Sequence, residues 1–415
     1  MTDSNIFKLK EPEQNDPLQE VLREGARKML AAAIEAEVSI FVEQYDTLKA
    51  DEGNMAIVRN GYLPERSIQT GLGDIAVKVP KVWDRSKSGI KFNSSLVPPY
   101  LKRTKNMEEF LPWLYLRGIS TGDFSEALKH LLGPDAPGLS ATTISRLKQD
   151  WERDYKDWNH RDLSKKRYVY VWADGVYSNV RMDDRLCLLV IIGSDETGRK
   201  ELLALSDGYR ESAASWEEVL TDLRQRGLET APELAVGDGS LGFWKAVTKL
   251  WPETDQQRCW VHKTANVLEK LPKAMQPKVK EALHNIWQAE TREEACKAFD
   301  HCVERFNPKY PSAMDCLAKD KASMLIFYDY PAENWQHIRT TNPIESVFAT
   351  VRLRTAKTKN CGSRTTTLTM AFKLMETAQK KWFRLRGYKL LADVINGVKF
   401  VNGIKQTGDQ KQVAA

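Results

Sequence analysis

Three apolar runs follow one another with only short polar breaks: KKRYVYVWAD (165–174), RLCLLVIIGSD (185–195) and KELLALSDG (200–208). Each is too short for a buried helix and rich in β-branched or aromatic residues, so each reads as a strand. The amphipathic segment SAASWEEVLTDLRQRG (212–227) comes next, with Ser215 and Glu218 spaced as a capping box. A fourth apolar run, ELAVGDG (233–239), then closes on an acid. Strand, strand, strand, helix, strand, the last ending in an acid, is the element order of a ribonuclease-H-like α/β fold.

Two acids sit where such a sheet builds sites. Asp174 closes YVYVWAD and Asp238 closes ELAVGD, each followed by Gly. Carboxyl ends of strands carry ligands in α/β sheets, and two carboxylates on neighbouring strands hold hard divalent cations through oxygen. Glu345, in NPIESVFATVRLR, supplies a third carboxylate, on a helix with Asn342 as cap and Pro343 at its first position. The acid-only ligand set points to Mg²⁺, for which Mn²⁺ can substitute. Two ions about 3.5–4 Å apart activate an attacking oxygen and stabilise the leaving one. Asp207, in LALSDG, also closes a strand and competes for one of the two Asp roles. Cys259 and His262, in RCWVHK, have metal-ligand spacing but lack a second pair, so a site-adjacent or packing role is expected.

Around this core the chain divides into a helical region at 1–50, a small β-containing region at 51–105, and a three-helix region at 106–160. The first part of the catalytic core follows at 161–262, a helical insertion at 263–335, and the Glu345 helix with a basic end at 336–415. Residues 17–45 form one amphipathic helix, with Asp16 as cap and Leu18, Val21, Leu22, Met29, Ile34 and Val38 on its apolar stripe. Asn60-Gly61 signals a turn, and Ile75, Val77 and Val79 alternate as in a strand. That ribbon either packs or, through Arg59, touches DNA. At 106–158, a turn at GISTGDF and a last helix opening with Ser140 read as a helix-turn-helix or as a plain bundle. In the former, Thr142, Thr143, Arg146 and Lys148 reach base edges.

The net charge of +6 is unevenly spread: residues 346–415 hold fourteen Lys or Arg against three Asp or Glu. Within this stretch Arg352 lies two helical turns beyond Glu345, and Arg354, Lys357 and Lys359 extend the basic row. Such an excess suits a polyanion. Trp244, Trp251, Trp260 and Trp335 read as core, or as stacking platforms for an unpaired base. Six unclustered cysteines suit a reduced, cytoplasmic chain, and neither a membrane span nor a secretory leader is expected.

The segments RNGY (59–62), LYLRGISTGDFSEAL (114–128), LSATTISRLK (139–148), VWADGVY (171–177), LAVGDGSLGFWKAV (234–247), QRCWVHKTANVLEKLP (257–272) and TTNPIESVFATVRLRT (340–355) resemble the bacterial insertion-sequence transposases of the Mutator type. The likeness spans about residues 17–400. It implies a ribonuclease-H-like catalytic domain with helical DNA-binding domains before it and a helical insertion within it. Its DDE triad would be Asp174, Asp238 and Glu345. It also implies strand transfer at terminal inverted repeats, binding of double-stranded repeat and target DNA, a homodimer or higher oligomer, and a nucleoid-associated location. The family often has Arg after the turn at GISTGDF, where this chain has Gly122-Asp123. A DNA-binding relative without chemistry, and a nuclease that cuts without rejoining, remain open at this point.

Overall fold

In the computed structural model, the described residues are 17–50, 53–116, 119, 126–129, 141–178, 186–208, 212–357 and 363–406. The chain forms two units, Met1–Leu147 and Lys148–Ala415.

In the first unit, helix α1 (Pro17–Glu43) lies beside two antiparallel ribbons. One pairs β1 (Ile57–Tyr62) with β4 (Pro80–Asp84), and the other pairs β2 (Arg66–Thr70) with β3 (Gly73–Val77). Ile75, Val77 and Val79 alternate into the core with Ile34 of α1, as their spacing predicts. Two expectations change. Asn60-Gly61 is no hairpin turn: Gly61, at φ +66°, sits within β1, where the register to β4 slips between Arg59 and Tyr62. A positive-φ glycine serves a bulge as well as a turn, and the tight turn falls instead between Thr70 and Gly73. Of the α1 stripe only Ile34 and Val38 are buried; Leu18, Val21, Leu22 and Met29 stay exposed. Helix α2 (Lys105–Leu116) follows. Asp16, the GISTGDF turn and Ser140 lie outside the described residues apart from Ile119.

Helix α3 (Ala141–Asn159) runs across the boundary between the units, and a five-stranded mixed sheet builds the second. Its strands are β5 (Tyr168–Ser178), β6 (Leu186–Asp195), β7 (Lys200–Gly208), β8 (Leu234–Gly237) and β9 (Asp255–Arg258), in spatial order β7-β6-β5-β8-β9. The first three form an antiparallel meander, and β8 and β9 join parallel to β5. The expected β-β-β-α-β order is therefore present. Strand β9 was not foreseen, because its DQQR sequence carries no apolar signal.

Side chains alternate across this sheet with period two. One face, with Val171, Ala173, Leu189, Ile191 and Ala235, packs under α4 (Ala213–Gln225) and α5 (Leu241–Leu250) through Trp216, Leu220, Phe243 and Val247. Ser212 caps α4 by accepting from the Ser215 N–H at 3.1 Å, so the cap lies three residues before the expected capping box. The opposite face carries Tyr170, Trp172 and Asp174. Four helices of eight or more residues intervene before the chain returns to the sheet, α6 (Trp260–Glu269), α7 (Gln276–Gln288), α8 (Arg292–Phe306) and α9 (Pro311–Ala318), followed by short helical turns at Lys321–Met324, Ile326–Asp329, Ala332–Asn334 and Trp335–Ile338. Then α10 (Asn342–Lys357) packs against β5 and β6, and α11 (Arg364–Gln379) against β7. Asp207 of β7 receives two hydrogen bonds from Arg364 at 2.6 and 2.9 Å, so the competing strand acid ties α11 to the sheet two strands away from β5.

Gly193 in β6 marks the tightest point of the sheet core. A Cβ there would stand 2.5 Å from Leu203 Cδ1 and 2.7 Å from Tyr168 Cδ1, both fully buried. Gly193→Ala is expected to destabilise the second unit by about 1–3 kcal/mol through overpacking. A urea titration would read this as a lower midpoint at constant slope; an unchanged midpoint would show that the sheet core is looser than its geometry.

Candidate metal and phosphodiester site

Asp174 does not end its strand: β5 continues to Ser178, and Asp174 stays paired with Val190 of β6. What ends there is the other edge. The parallel register to β8 stops at Ala173↔Gly237, so Asp174 and Asp238 are the residues that directly follow its last pair. Asp174 is 5% exposed, and Asp238 is half-buried. The Asp238 carboxylate accepts from the Ser240 N–H at 2.8 Å, closing a local turn. Gly239 inside that turn has φ +87°, and a Cβ on it would fall on the Arg258 guanidinium. Arg258 is itself buried, with its Nε 3.4 Å from Asp320, which also accepts from the buried Lys263 at 2.6 Å. Two cations sharing one carboxylate thus underlie the Asp238 turn.

Glu345 reaches this place through a run of polar contacts along the Asp174 face of the sheet. Tyr170 donates to Asn334 Oδ1 at 2.9 Å and Trp172 Nε1 donates to the His337 carbonyl at 2.8 Å. The Trp260 N–H donates to the Arg339 carbonyl at 3.0 Å. Thr341, fully buried, donates its N–H to Cys259 Sγ at 3.3 Å, and its hydroxyl lies 3.5 Å from that sulfur and 3.3 Å from His262 Nδ1. The Thr341 carbonyl then accepts from the Ile344 and Glu345 N–H groups. Helix α10 begins at Asn342, so the residue before it is Thr341, not Asn342 as the sequence suggests. Glu345 falls in the first turn, where the partial positive charge of a helix start favours a carboxylate.

His262 completes the cluster. It stands three residues after Cys259, on the same side of the first turn of α6, with Nε2 3.4 Å from Glu345 Oε1. One donor atom each from Asp174, His262 and Glu345 lie within 4.8 Å of one another. Asp238 is outside that closest group, its carboxylate being turned to Ser240. Burial pushes the Asp174 carboxyl up to about 7; the charges of Asp238 and Glu345 push the same way, and His262 pulls against them. Burial disfavours charge on His262, but its bond to the Cys259 thiol and the carboxylates of Asp174 and Glu345 outweigh this and raise it to about 9. Burial also opposes ionisation of Cys259, yet the hydrogen bond from His262 lowers its pKa on balance. Carboxylates that converge in a desolvated spot and repel one another are the donor set that a hard divalent cation relieves. Asp174, Glu345 and His262 are the residues whose donor atoms could hold such an ion together, a set with a nitrogen donor that the acid-only expectation lacked, while Asp238 faces Ser240.

The remaining candidates scatter. Arg352 is exposed on α10. Arg354 and Lys357 belong to the same helix, and Lys359 lies outside the described residues. Lys148 is half-buried on α3. In the first unit Arg146 is exposed on α3, where Thr142 and Thr143 also lie. Arg59 pairs with Glu35 of α1 at 2.7 Å and lies over the Tyr62 ring, so its charge is already matched inside the fold. Thr341, Arg258 and Gly239 were not singled out from sequence; only the glycine after Asp238 gave a signal. No helix among the described residues is long and apolar enough to cross a membrane.

A family model described as "Transposase, Mutator family" matches residues 2–384. The transposase for insertion sequence element IST2 of Acidithiobacillus ferrooxidans is 50% identical over 300 residues, covering 70% of this chain and 99% of the relative. The transposase for insertion sequence element IS6120 of Mycolicibacterium smegmatis is 50% identical over 298 residues, covering 72% and 92%. The transposase for insertion sequence element IS905 of Lactococcus lactis is 28% identical over 348 residues, covering 83% and 85%.

The buried carboxyl of Asp174 has a stability consequence with a definite sign. Its pKa is raised on folding, so the folded chain holds the proton longer than the unfolded one, and stability falls as pH rises from about 4 towards about 7. Asp174→Asn mimics the protonated form. In EDTA it is expected to melt several degrees above the parent at pH 8, with the gap narrowing to roughly a third at pH 5 and closing near pH 3. A variant melting below the parent at pH 8 would remove the desolvation account of this site.

Proposed function

We propose, on the premise that this chain belongs to the Mutator family of transposases, that it cuts and rejoins DNA at the terminal inverted repeats of an insertion sequence using Asp174, Asp238 and Glu345 as its DDE triad. The observation that carries this reading is the convergence of Asp174 and Glu345, 171 positions apart in sequence, onto one face of the sheet beside Asp238. A mixed sheet in the order β7-β6-β5-β8-β9, with its second strand antiparallel to its neighbours, supports a ribonuclease-H-like catalytic core, and the helices between Asp238 and Glu345 support a helical insertion.

In this reading Asp174, Asp238 and Glu345 would hold divalent cations, Mg²⁺ being the ion that an acidic donor set favours and Mn²⁺ a substitute for it. When bound, these ions lower the pKa of an attacking water or 3′-hydroxyl and stabilise the leaving oxygen. The protein's part is to hold the oxygens still. Asp174 rides on a strand paired through its own position with β6. Glu345 is oriented by His262, which Cys259 and Thr341 orient in turn. Arg352, two turns further along α10, meets the phosphate flanking the scissile bond, and the basic residues 346–415 extend that contact along the backbone.

A strand-transfer assay with labelled repeat ends and Mg²⁺ separates cutting, rejoining and binding alone. Asp174→Ala, Asp238→Ala and Glu345→Ala are each expected to lower cleavage by at least about a thousandfold, the scale of lost transition-state charge stabilisation, while leaving end-binding within about twofold. Full activity in any one of the three removes that residue from the triad. Duplex affinity measured by anisotropy is expected to fall about a hundredfold or more between 50 and 200 mM salt, because phosphate contacts release counterions; a flat response rules out the basic region as the DNA surface.

A further inference from the structure

Beside the acid cluster lies a cavity of about 500 Å³ that the proposed chemistry does not use. Two helical faces and one connecting segment enclose it. From α6 come Val261, Thr264, Ala265 and Leu268, at successive steps of three, one and three residues, hence one stripe. From α7 come Lys280, His284 and Trp287, again one stripe. The third wall is the segment that leads into α10, including Arg339 and Asn342. The stripe on α6 begins at Val261, the neighbour of His262, and the third wall ends at Asn342, one turn before Glu345. The cavity therefore opens within about one helical turn of both.

Its chemistry is uneven in an informative way. Trp287 is half-buried, with the His284 ring against it at 5.0 Å between centroids. Arg339 stands over the same indole at 5.0 Å and donates to the Trp287 and Trp335 carbonyls, so the guanidinium is fixed and the indole is held on one side. Lys280 is exposed at the rim. No Asp or Glu lines the cavity. A pocket of this size, apolar with aromatic walls and purely basic charge, takes a flat ring that carries a negative group. A nucleotide displaced from the duplex has both parts.

Resting on the reading of the acid cluster as the phosphodiester site, we propose that this cavity receives an unpaired nucleotide next to the scissile bond, with its base against Trp287 and its phosphate towards Lys280 and Arg339. Of the four tryptophans first considered for stacking, only Trp260 lines the cavity. It is 2% exposed with its indole N–H donated to the Met324 carbonyl, so it serves as floor. Trp287 supplies the stacking face.

The test uses the full chain, a repeat-end duplex, and the same duplex with a short single-stranded overhang carrying 2-aminopurine at the junction. The parent is expected to quench the 2-aminopurine and to bind the overhang end about tenfold more tightly than the blunt end, the scale of one base stacked on an aromatic ring. Trp287→Ala should lose both quenching and preference while binding the blunt end as the parent does, and Trp287→Phe should restore most of them. Ala265→Leu, at an exposed position on the α6 wall, narrows the cavity without touching the indole and should also erase the preference. Blunt-end binding and cleavage with no overhang preference in the parent, or an unaltered preference in Trp287→Ala or Ala265→Leu, overturns the cavity assignment alone. Absence of repeat-end binding and cleavage in the parent overturns it together with the function on which it rests.

Discussion

The site depends on the pinning of residues 334–341 to one face of the sheet. Tyr170 and Trp172 project from alternate positions of β5 and spend their polar ends on Asn334 and on the His337 carbonyl. Asp174, two residues further on, points the same way for the same geometric reason. The polar tips of two buried aromatics thus stitch a distant segment to the strand that bears the first acid. Leaving either tip unpaired would cost about 1–3 kcal/mol, so the stitching is strongly selected within the folded state. Once 341 is held by Cys259, the first turn of α10 has no choice but to deliver Glu345 next to His262.

This arrangement concentrates unfavourable electrostatics at one end of the sheet. Asp174 is desolvated among like charges, while the Asp238 turn rests on buried Arg258 and Lys263, with Asp320 as their shared carboxylate. Buried ionic groups of this kind seldom add net stability. Their value here is positional, since the large sheet core of apolar residues on the opposite face and under α4 and α5 stabilises the unit independently. The sheet and the site divide the labour: one face supplies cohesion, and the other holds charges at fixed spacing.

Much of this was legible in the chain. Periodicity revealed the meander, the helix and the acid-terminated fourth strand, because buried strands with one apolar composition and helices with another leave distinct traces. It also revealed the helices between Asp238 and Glu345. Strand β9 left no such trace: Gln257 and Arg258 are buried for their hydrogen bonds and charge, so nothing marks DQQR as sheet. Asp207 carried the same strand-end signature as Asp174 and Asp238, and only the sheet order, which puts β7 two strands from β5, and its pairing with Arg364 of α11 set it apart from them. Cys259 and His262 were seen as a pair, but their link to Thr341 and Glu345 is a tertiary fact. The bulge at Asn60-Gly61 shows the limit of dipeptide rules, since a left-handed glycine satisfies either geometry.

The continuation of β5 past Asp174 makes the two sides of the cluster mechanically unequal. Asp174 is clamped by main-chain pairing along β6 on both sides of its own position, whereas Glu345 stands on a helix held against β5 and β6 by side chains, with Ile344, Val347 and Phe348 buried. Backbone pairing is the stiffer of the two supports, so the Glu345 side sets how far apart the two carboxylates can stand.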